Sequence, residues 1–266
     1  MLDFLQLPND STKKTLMVAL VLCLACSVVV SGAAVILKPM QASNKAFDRK
    51  KNILEVADLM EAGKSVDAIY EERVEARVVD LATGEYTDAV DPNSYDQRNA
   101  AKNPELSQPV PPELDKASIK RQAKYATVYL IREGDAVKTI ILPVHGYGLW
   151  STLYGFLALE SDAKTVTGLK FYEHAETPGL GGEVDNPRWR ALWEGKVVYD
   201  DQWRPNIEIV KGTVDKSRTD AIHQVDGLAG ATLTSRGVMN LLQYWLSDQG
   251  FGPYLARLRT QGGNNG

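Results

Sequence analysis

The residues best suited to chemistry lie in a turn of small residues just before the last long amphipathic segment. Residues 224–239 read QVDGLAGATLTSRGVM and place the hydroxyl groups of Thr232, Thr234 and Ser235 in this turn. Apolar residues recur at helical spacing over residues 238–246, which predicts a helix that begins near these hydroxyls. Free backbone N–H groups and the positive end of the helix dipole favour a phosphate group at such a point. Capping of the helix by a hydroxyl side chain is the alternative, and taken alone it is the more common explanation.

A second candidate segment is the loop HAETPGLG at residues 174–181. A Pro-Gly-x-Gly loop brings bare backbone close to a flat ring and offers N–H and C=O groups to the polar edge of that ring. Trp150, in the segment GYGLW, supplies an aromatic side chain that such a ring could contact. An ordinary tight turn and a core tryptophan are the alternatives for the loop and for Trp150.

The small-residue turn also carries a recognisable motif. Residues 226–232, DGLAGAT, resemble the flavinylation motif of the FMN-binding-domain family, in which a flavin transferase esterifies the phosphate of FMN to the threonine. The resemblance implies one covalently bound FMN per chain, with Thr232 as the phosphoryl threonine and with Gly230 and Ala231 beside the cofactor. It also implies that the transferase recognises Asp226, which as a structural residue would instead bond the backbone of its own turn.

The match departs from the family pattern at one position, because Ala229 stands where the family has Ser or Thr. This departure affects recognition by the transferase more than the acceptor residue. Thr234 and Ser235 also carry hydroxyl groups, and we predict that they cap the helix.

The loop at residues 174–181 resembles the flavin-facing loop of the same family. The resemblance implies that Glu176, Thr177 and Leu180 bind the cofactor, and that Trp150 is the aromatic neighbour of the flavin ring. It implies no catalytic residue and no metal ligand in this chain.

Other kinds of site are disfavoured by residue types and spacing. His145, His174 and His223 are far apart in the sequence and fit no metal-binding pattern, so we predict them on the surface or in loops. The spacing of His174 and Glu176 matches the His-x-Glu part of the zinc deaminase motif. That motif also needs a Pro-Cys-x-x-Cys segment, and no cysteine follows residue 26, so a zinc deaminase site is excluded. Thirty basic residues against thirty-four acidic ones, with no dense basic stripe, exclude nucleic acid as an expected partner.

The N-terminal part predicts a single-pass membrane anchor. Residues 15–37 contain no charge and would form on the order of 35 Å of helix, enough to span a bilayer. A signal peptide is disfavoured because its apolar region is usually only about 7–15 residues long. Cys23 and Cys26 lie in this segment and are expected to be unreactive packing residues. Basic residues after the segment outnumber those before it, but this bias decides little when a long domain follows.

The remaining pattern predicts an α+β fold, in which a single transmembrane helix precedes a soluble domain with a mostly antiparallel sheet and flanking helices. β-rich runs at residues 125–131 and 137–144 predict one hairpin, and residues 149–159 and 165–172 predict a second pair of strands. The predicted divisions are residues 1–14 as a short tail, 15–37 as the transmembrane helix, 38–118 as a stalk helix, a strand and a long polar Pro-rich excursion outside the core, and 119–266 as the FMN-binding domain.

The whole layout resembles the C subunit of the bacterial Na+-translocating NADH:quinone reductase. The resemblance implies an electron-relay subunit in the bacterial inner membrane, with its large domain in the periplasm. The implied partners are the lipid bilayer, membrane subunits that bear iron–sulfur centres, the FMN-bearing B subunit and, during maturation, the flavin transferase. The G subunit of a ferredoxin:NAD oxidoreductase complex is the related alternative. A membrane-tethered binding domain without redox chemistry is the alternative from another class.

Overall fold

The structure is a computed structural model that describes residue 8, residues 11–134 and residues 136–262. It divides into two units, Met1–Arg49 and Lys50–Gly266. The first unit is formed by the greater part of helix α1, Thr12–Val56. The apolar residues of this helix between Leu16 and Met40 are exposed, and the helix is long and apolar enough to cross a membrane. Most of the predicted tail, residues 1–7, 9 and 10, lies outside the described residues.

The second unit is built on an antiparallel sheet with helices on both faces. The strands in the described residues are β1 Val74–Asp80, β2 Glu85–Tyr86, β3 Ser107–Pro109, β4 Arg121–Ala123, β5 Tyr125–Glu133, β6 Ala136–Tyr147, β7 Thr152–Glu160, β8 Val166–Glu173, β9 Glu208–Val210 and β10 Gln224–Asp226. The α-helices after α1 in the described residues are α2 Val66–Arg73, α3 Gln97–Lys102, α4 Pro187–Arg190, α5 Thr232–Leu246 and α6 Gly252–Gly262. The main sheet has the strand order β2-β1-β5-β6-β7-β8 with every neighbouring pair antiparallel, which confirms the predicted α+β fold.

Each face of this sheet has its own apolar core. The last turn of α1 places Ile53 and Val56 against Tyr129, Ile141 and Phe156 on one face. Helix α5 packs on the other face, within a larger core. Burial from both sides explains why strand β5, YATVYLIRE, is apolar at successive positions and does not alternate.

The predicted division at residue 119 is wrong, because strand β1 lies inside the main sheet, between β2 and β5. The prediction that the long polar Pro-rich excursion stays outside the core is wrong in part. Val110 and Ala117 are buried in the larger core, and β3 pairs with β4. The guanidinium of Arg98 in α3 also lies 3.4 Å from the centroid of the Tyr154 ring. These contacts join residues that are distant in sequence, so local polarity did not reveal them.

The predicted loop or surface position of His145 is also wrong. Strand β6 continues to Tyr147, and the ring of His145 stacks on Tyr154, with centroids 5.5 Å apart, and packs against Trp245. Burial, with a smaller contribution from the charge of Arg98, lowers the pKa of His145 to about 4. The imidazole is therefore neutral at pH 7 and acts as a packing group.

Candidate functional site

The site begins at the N-terminus of α5. The first helical residue is Thr232, whose side chain is exposed, and the N-cap residue Ala231 makes no side-chain capping bond. The first backbone N–H groups of a helix have no partner within the helix, and together with the helix dipole they attract an anion. Gly230 precedes the cap with φ of +71°, a conformation that glycine adopts without strain. This is a turn with an exposed hydroxyl beside a helix end of the kind that suits a phosphate group.

The other two hydroxyl groups of the turn are buried and already bonded. The Thr234 hydroxyl is fully buried and donates to Glu176 Oε2 over 2.7 Å. The Ser235 hydroxyl accepts the N–H of Leu228 at 3.0 Å. Our prediction that these residues cap the helix is wrong, because α5 begins two residues before Thr234 and both side chains point inward.

A buried carboxylate joins α5 to two loops. Glu176 is 5% exposed, and its Oε1 accepts the N–H groups of Leu149, Trp150 and Ser151 at 3.1, 3.0 and 3.2 Å. Burial acts to raise the pKa of this carboxyl, but the hydrogen bonds from Thr234 and the three N–H groups outweigh it and lower the pKa below its usual value. Glu176 is therefore ionised at neutral pH. We call this carboxylate and its four donors the Glu176 clasp.

Two glycines allow the clasp to close. A Cβ atom on Gly181 would lie 2.5 Å from Thr234 Oγ1 and 2.7 Å from Glu176 Oε2. A Cβ atom on Gly148 would lie 2.6 Å from Glu176 Oε1. All three distances are too short for a real side chain, so glycine at these two positions is what lets the loop backbones reach the carboxylate.

Further hydrogen bonds hold the loop at residues 174–181 in place. His174 Nδ1 accepts the N–H of Glu176 at 3.2 Å, and Nε2 lies 2.7 Å from Asp185 Oδ2. An accepting Nδ1 requires the proton on Nε2, which then donates to the Asp185 carboxylate. The hydroxyl of Ser151 accepts the N–H of Ala175 at 2.7 Å. The start of the loop is therefore held to Asp185 through His174 and to Ser151 through Ala175.

Apolar side chains stand exposed on the segments that the clasp brings together. Trp150 is 65% exposed, Leu180 is 44% exposed, and Leu233 is 52% exposed. Leu180 lies against the turn before α5, since a Cβ atom on Gly230 would be 3.0 Å from its Cδ2 atom. The side chain of Thr177 is exposed in the same loop. An open helix N-terminus beside exposed apolar side chains fits a ligand with a phosphate at one end and a flat ring at the other, such as FMN.

Comparison with known proteins identifies the family. A model of the FMN-binding domain matches residues 148–247, a range that contains Trp150, Glu176 and Thr232. The chain is 56% identical to the C subunit of the Na+-translocating NADH-quinone reductase of Pseudomonas aeruginosa, over 94% of this chain and 97% of that protein. The chain belongs to the C subunit family of this reductase. The C subunit of the Vibrio vulnificus reductase is 48% identical over 96% of this chain and 99% of that protein.

The fold agrees with this family membership. The crystal structure of NqrC from Shewanella oneidensis superposes with a TM-score of 0.76 at 33% sequence identity. The match covers 82% of this chain and 99% of that one. The resemblance to the C subunit that the sequence motifs indicated is therefore confirmed.

The structure brings together most of the residues expected to bind the cofactor in this family, with two differences. The carboxylate of Glu176 faces the loops and α5, where its hydrogen bonds hold the backbone at Trp150 and the hydroxyl of Thr234. Asp226 bonds the N–H of Val214 at 2.8 Å, twelve residues upstream, and not its own turn. The role of Thr234 was missed, although helical spacing places it on the same face as the buried Val238 and could have revealed it.

We expect the Glu176→Gln variant to lower the free energy of unfolding by about 1–3 kcal/mol at pH 7, because the amide removes a charge from a site of four donors. The native pKa of Glu176 is lowered, so its stabilisation is present above the unfolded pKa of about 4.3 and is lost as the pH falls through the native pKa. The difference between wild type and variant should therefore shrink as the pH falls below about 4.3. Urea unfolding at several pH values measures it.

The matched control is Glu160→Gln, at the exposed end of β7. This change should leave the free energy of unfolding within about 0.5 kcal/mol of wild type, as surface substitutions usually do. Equal stability of wild type and Glu176→Gln at pH 7, or a difference that grows as the pH falls, would contradict an ionised clasp.

Proposed function

We propose that this chain carries one FMN, esterified through its phosphate to Thr232, and relays electrons as a subunit of the Na+-translocating NADH:quinone reductase. One observation carries the choice of residue. Of the three hydroxyl groups near the start of α5, that of Thr232 is exposed, whereas those of Thr234 and Ser235 are buried and hydrogen-bonded. A transferase can reach the first without disturbing the fold, but it would have to unfold the first turn of α5 to reach the others.

The attachment is a transfer of an FMN phosphoryl group from an activated donor of the flavin dinucleotide class. The bond from Thr232 Oγ to the FMN phosphorus forms, the phosphoanhydride bond of the donor breaks, and the nucleoside monophosphate leaves. The hydroxyl proton goes to a base of the transferase, and no electrons are exchanged. The N–H groups at the start of α5 then face the phosphodiester and stabilise its negative charge.

The chain contributes position and environment, while FMN when bound supplies reversible electron transfer. In this proposal Trp150 and Leu180 offer apolar surface to the ring, and Thr177, exposed in the same loop, offers a polar side chain to its edge. The phosphodiester keeps the cofactor in place without free FMN in the surroundings. Gly230 and Ala231 leave room beside the phosphate, because neither has a side chain beyond Cβ.

The proposed setting is the bacterial inner membrane. The apolar part of α1 would span the bilayer once, and the domain that follows it would lie in the periplasm. The proposed electron partners are membrane subunits with iron–sulfur centres on one side and the FMN of the B subunit on the other. The support for this arrangement is membership of the C subunit family together with the exposed apolar helix.

We expect that wild-type protein from cells with the transferase gives a proteolytic peptide containing Thr232 with the added mass of one FMN phosphoryl group. The Thr232→Ala variant should fold and lack covalent flavin, because its hydroxyl is gone and the neighbouring hydroxyls stay buried. The Thr232→Ser variant is the matched control and should be modified. Covalent flavin in Thr232→Ala, or an unmodified wild-type peptide, would refute the proposed attachment.

Asp226 gives a second test, because structural and recognition roles predict different results. The Asp226→Asn variant keeps an oxygen that can accept the N–H of Val214 but lacks the negative charge. If the transferase reads that charge, the variant should fold with a melting temperature within a few degrees of wild type and carry little or no flavin. Asp215→Asn, in the neighbouring exposed turn, is the control and should be fully flavinylated. Full flavinylation of Asp226→Asn would show that the charge is dispensable, and an unfolded variant would assign Asp226 a structural role.

A further inference from the structure

We propose that Thr234 is a positioning residue for the flavin ring, and that its hydrogen bond to Glu176 fixes the ring relative to the attachment point. The inference rests on the proposed attachment of FMN to Thr232. The phosphate end and the ring end of the cofactor would be held by different segments of the chain. The Thr234 hydroxyl is the side-chain group on α5 that donates to the carboxylate shared by those segments.

The geometry around Thr234 is closed and specific. Its side chain is fully buried, and the 2.7 Å bond to Glu176 Oε2 links residues that are 58 positions apart. Oε1 of the same carboxylate holds the backbone at Leu149, Trp150 and Ser151. One carboxylate therefore connects the first turn of α5 with the loop that carries Trp150.

The same carboxylate belongs to the loop that carries Leu180. Leu180 is four residues after Glu176, and the intervening turn is closed by hydrogen bonds from the N–H groups of Leu180 and Gly182 to the carbonyl of Thr177. Gly181 leaves no space beside Thr234 Oγ1, so the loop lies directly on the start of α5. A shift of Glu176 would move this loop and the Trp150 loop together.

A phosphodiester alone does not orient the ring. Several freely rotating single bonds separate the phosphate of FMN from its isoalloxazine, so the attachment at Thr232 fixes only one end. The ring direction then depends on where the apolar side chains lie relative to Thr232. Thr234 is two residues from Thr232 in the same helical turn, and its bond to Glu176 sets that relation.

Loss of the hydroxyl should change the flavin environment while the attachment stays intact. The Thr234→Val variant keeps the branched shape but removes the donor, and it leaves a buried carboxylate oxygen without that partner. We expect the peptide mass to show as much FMN on Thr232 of this variant as in the wild type. The visible circular dichroism of its bound flavin should be lost, and the midpoint potential of the flavin should shift. Thr234→Ser keeps the hydroxyl and should restore both signals.

A remote threonine gives the matched control. Thr165 donates to Asp162 Oδ2 at 2.6 Å in the turn between β7 and β8, so Thr165→Val removes the same kind of hydrogen bond. This variant should leave the circular dichroism and midpoint potential of the flavin unchanged. If Thr234→Val does not fold, Thr234→Ala is measured in the same way, because it removes the donor without placing a methyl group against the carboxylate.

Each result decides the proposal. It is overturned if flavin-loaded Thr234→Val has the wild-type spectrum and potential, if Thr234→Ser fails to restore them, or if Thr165→Val changes them equally. Absence of FMN from Thr234→Val alone would assign Thr234 to attachment and not to ring position. Absence of FMN from the wild-type Thr232 peptide would instead refute the proposed function. The peptide mass of the wild type thus tests the attachment, and the spectra of the variants test the position of the ring.

Discussion

A buried, ionised carboxylate holds the candidate site together. A charge removed from water is costly unless hydrogen bonds replace its hydration, and Glu176 receives three backbone N–H bonds and one hydroxyl bond. The donors come from two separate parts of the chain, so the carboxylate is satisfied only when the loop at residues 149–151 and the start of α5 are both in place. The position of the exposed Trp150 relative to the exposed Thr232 therefore follows from the need to satisfy one buried charge.

Features that depend on nearby residues were predicted from the sequence. The hairpin of β5 and β6, the strand pair of β7 and β8 and the helix α5 match the structure, because β-branched runs and helical periodicity act within a few residues. The family motifs also identified the exposed threonine, the loop at residues 174–181 and Trp150. These segments do meet around one carboxylate in the folded chain.

Features that depend on distant contacts were not predicted. Val110 and Ala117 lie in a polar, proline-rich stretch, and only the folded chain shows that they enter the core. The hydroxyl of Thr234 suits a helix cap by residue type, but the partner that decides its role is Glu176, far upstream. A capping pattern also could not fix the first residue of α5, since alanine holds the cap position and leaves the helix end open. That open end is what suits the turn to a phosphate.

Flavin fluorescence tests most directly whether Thr232 and Trp150 serve one cofactor. It is recorded for the purified wild-type protein in the folded state and again in guanidinium, and the unfolded sample is passed through a filter that retains the chain. A flavin ring that lies against a tryptophan is quenched by electron transfer from the indole, and unfolding releases it. The account predicts weak fluorescence in the folded protein and strong fluorescence in guanidinium, retained with the chain on the filter. Equal fluorescence in both states would place the ring away from Trp150, and flavin passing through the filter would show that no covalent bond holds it.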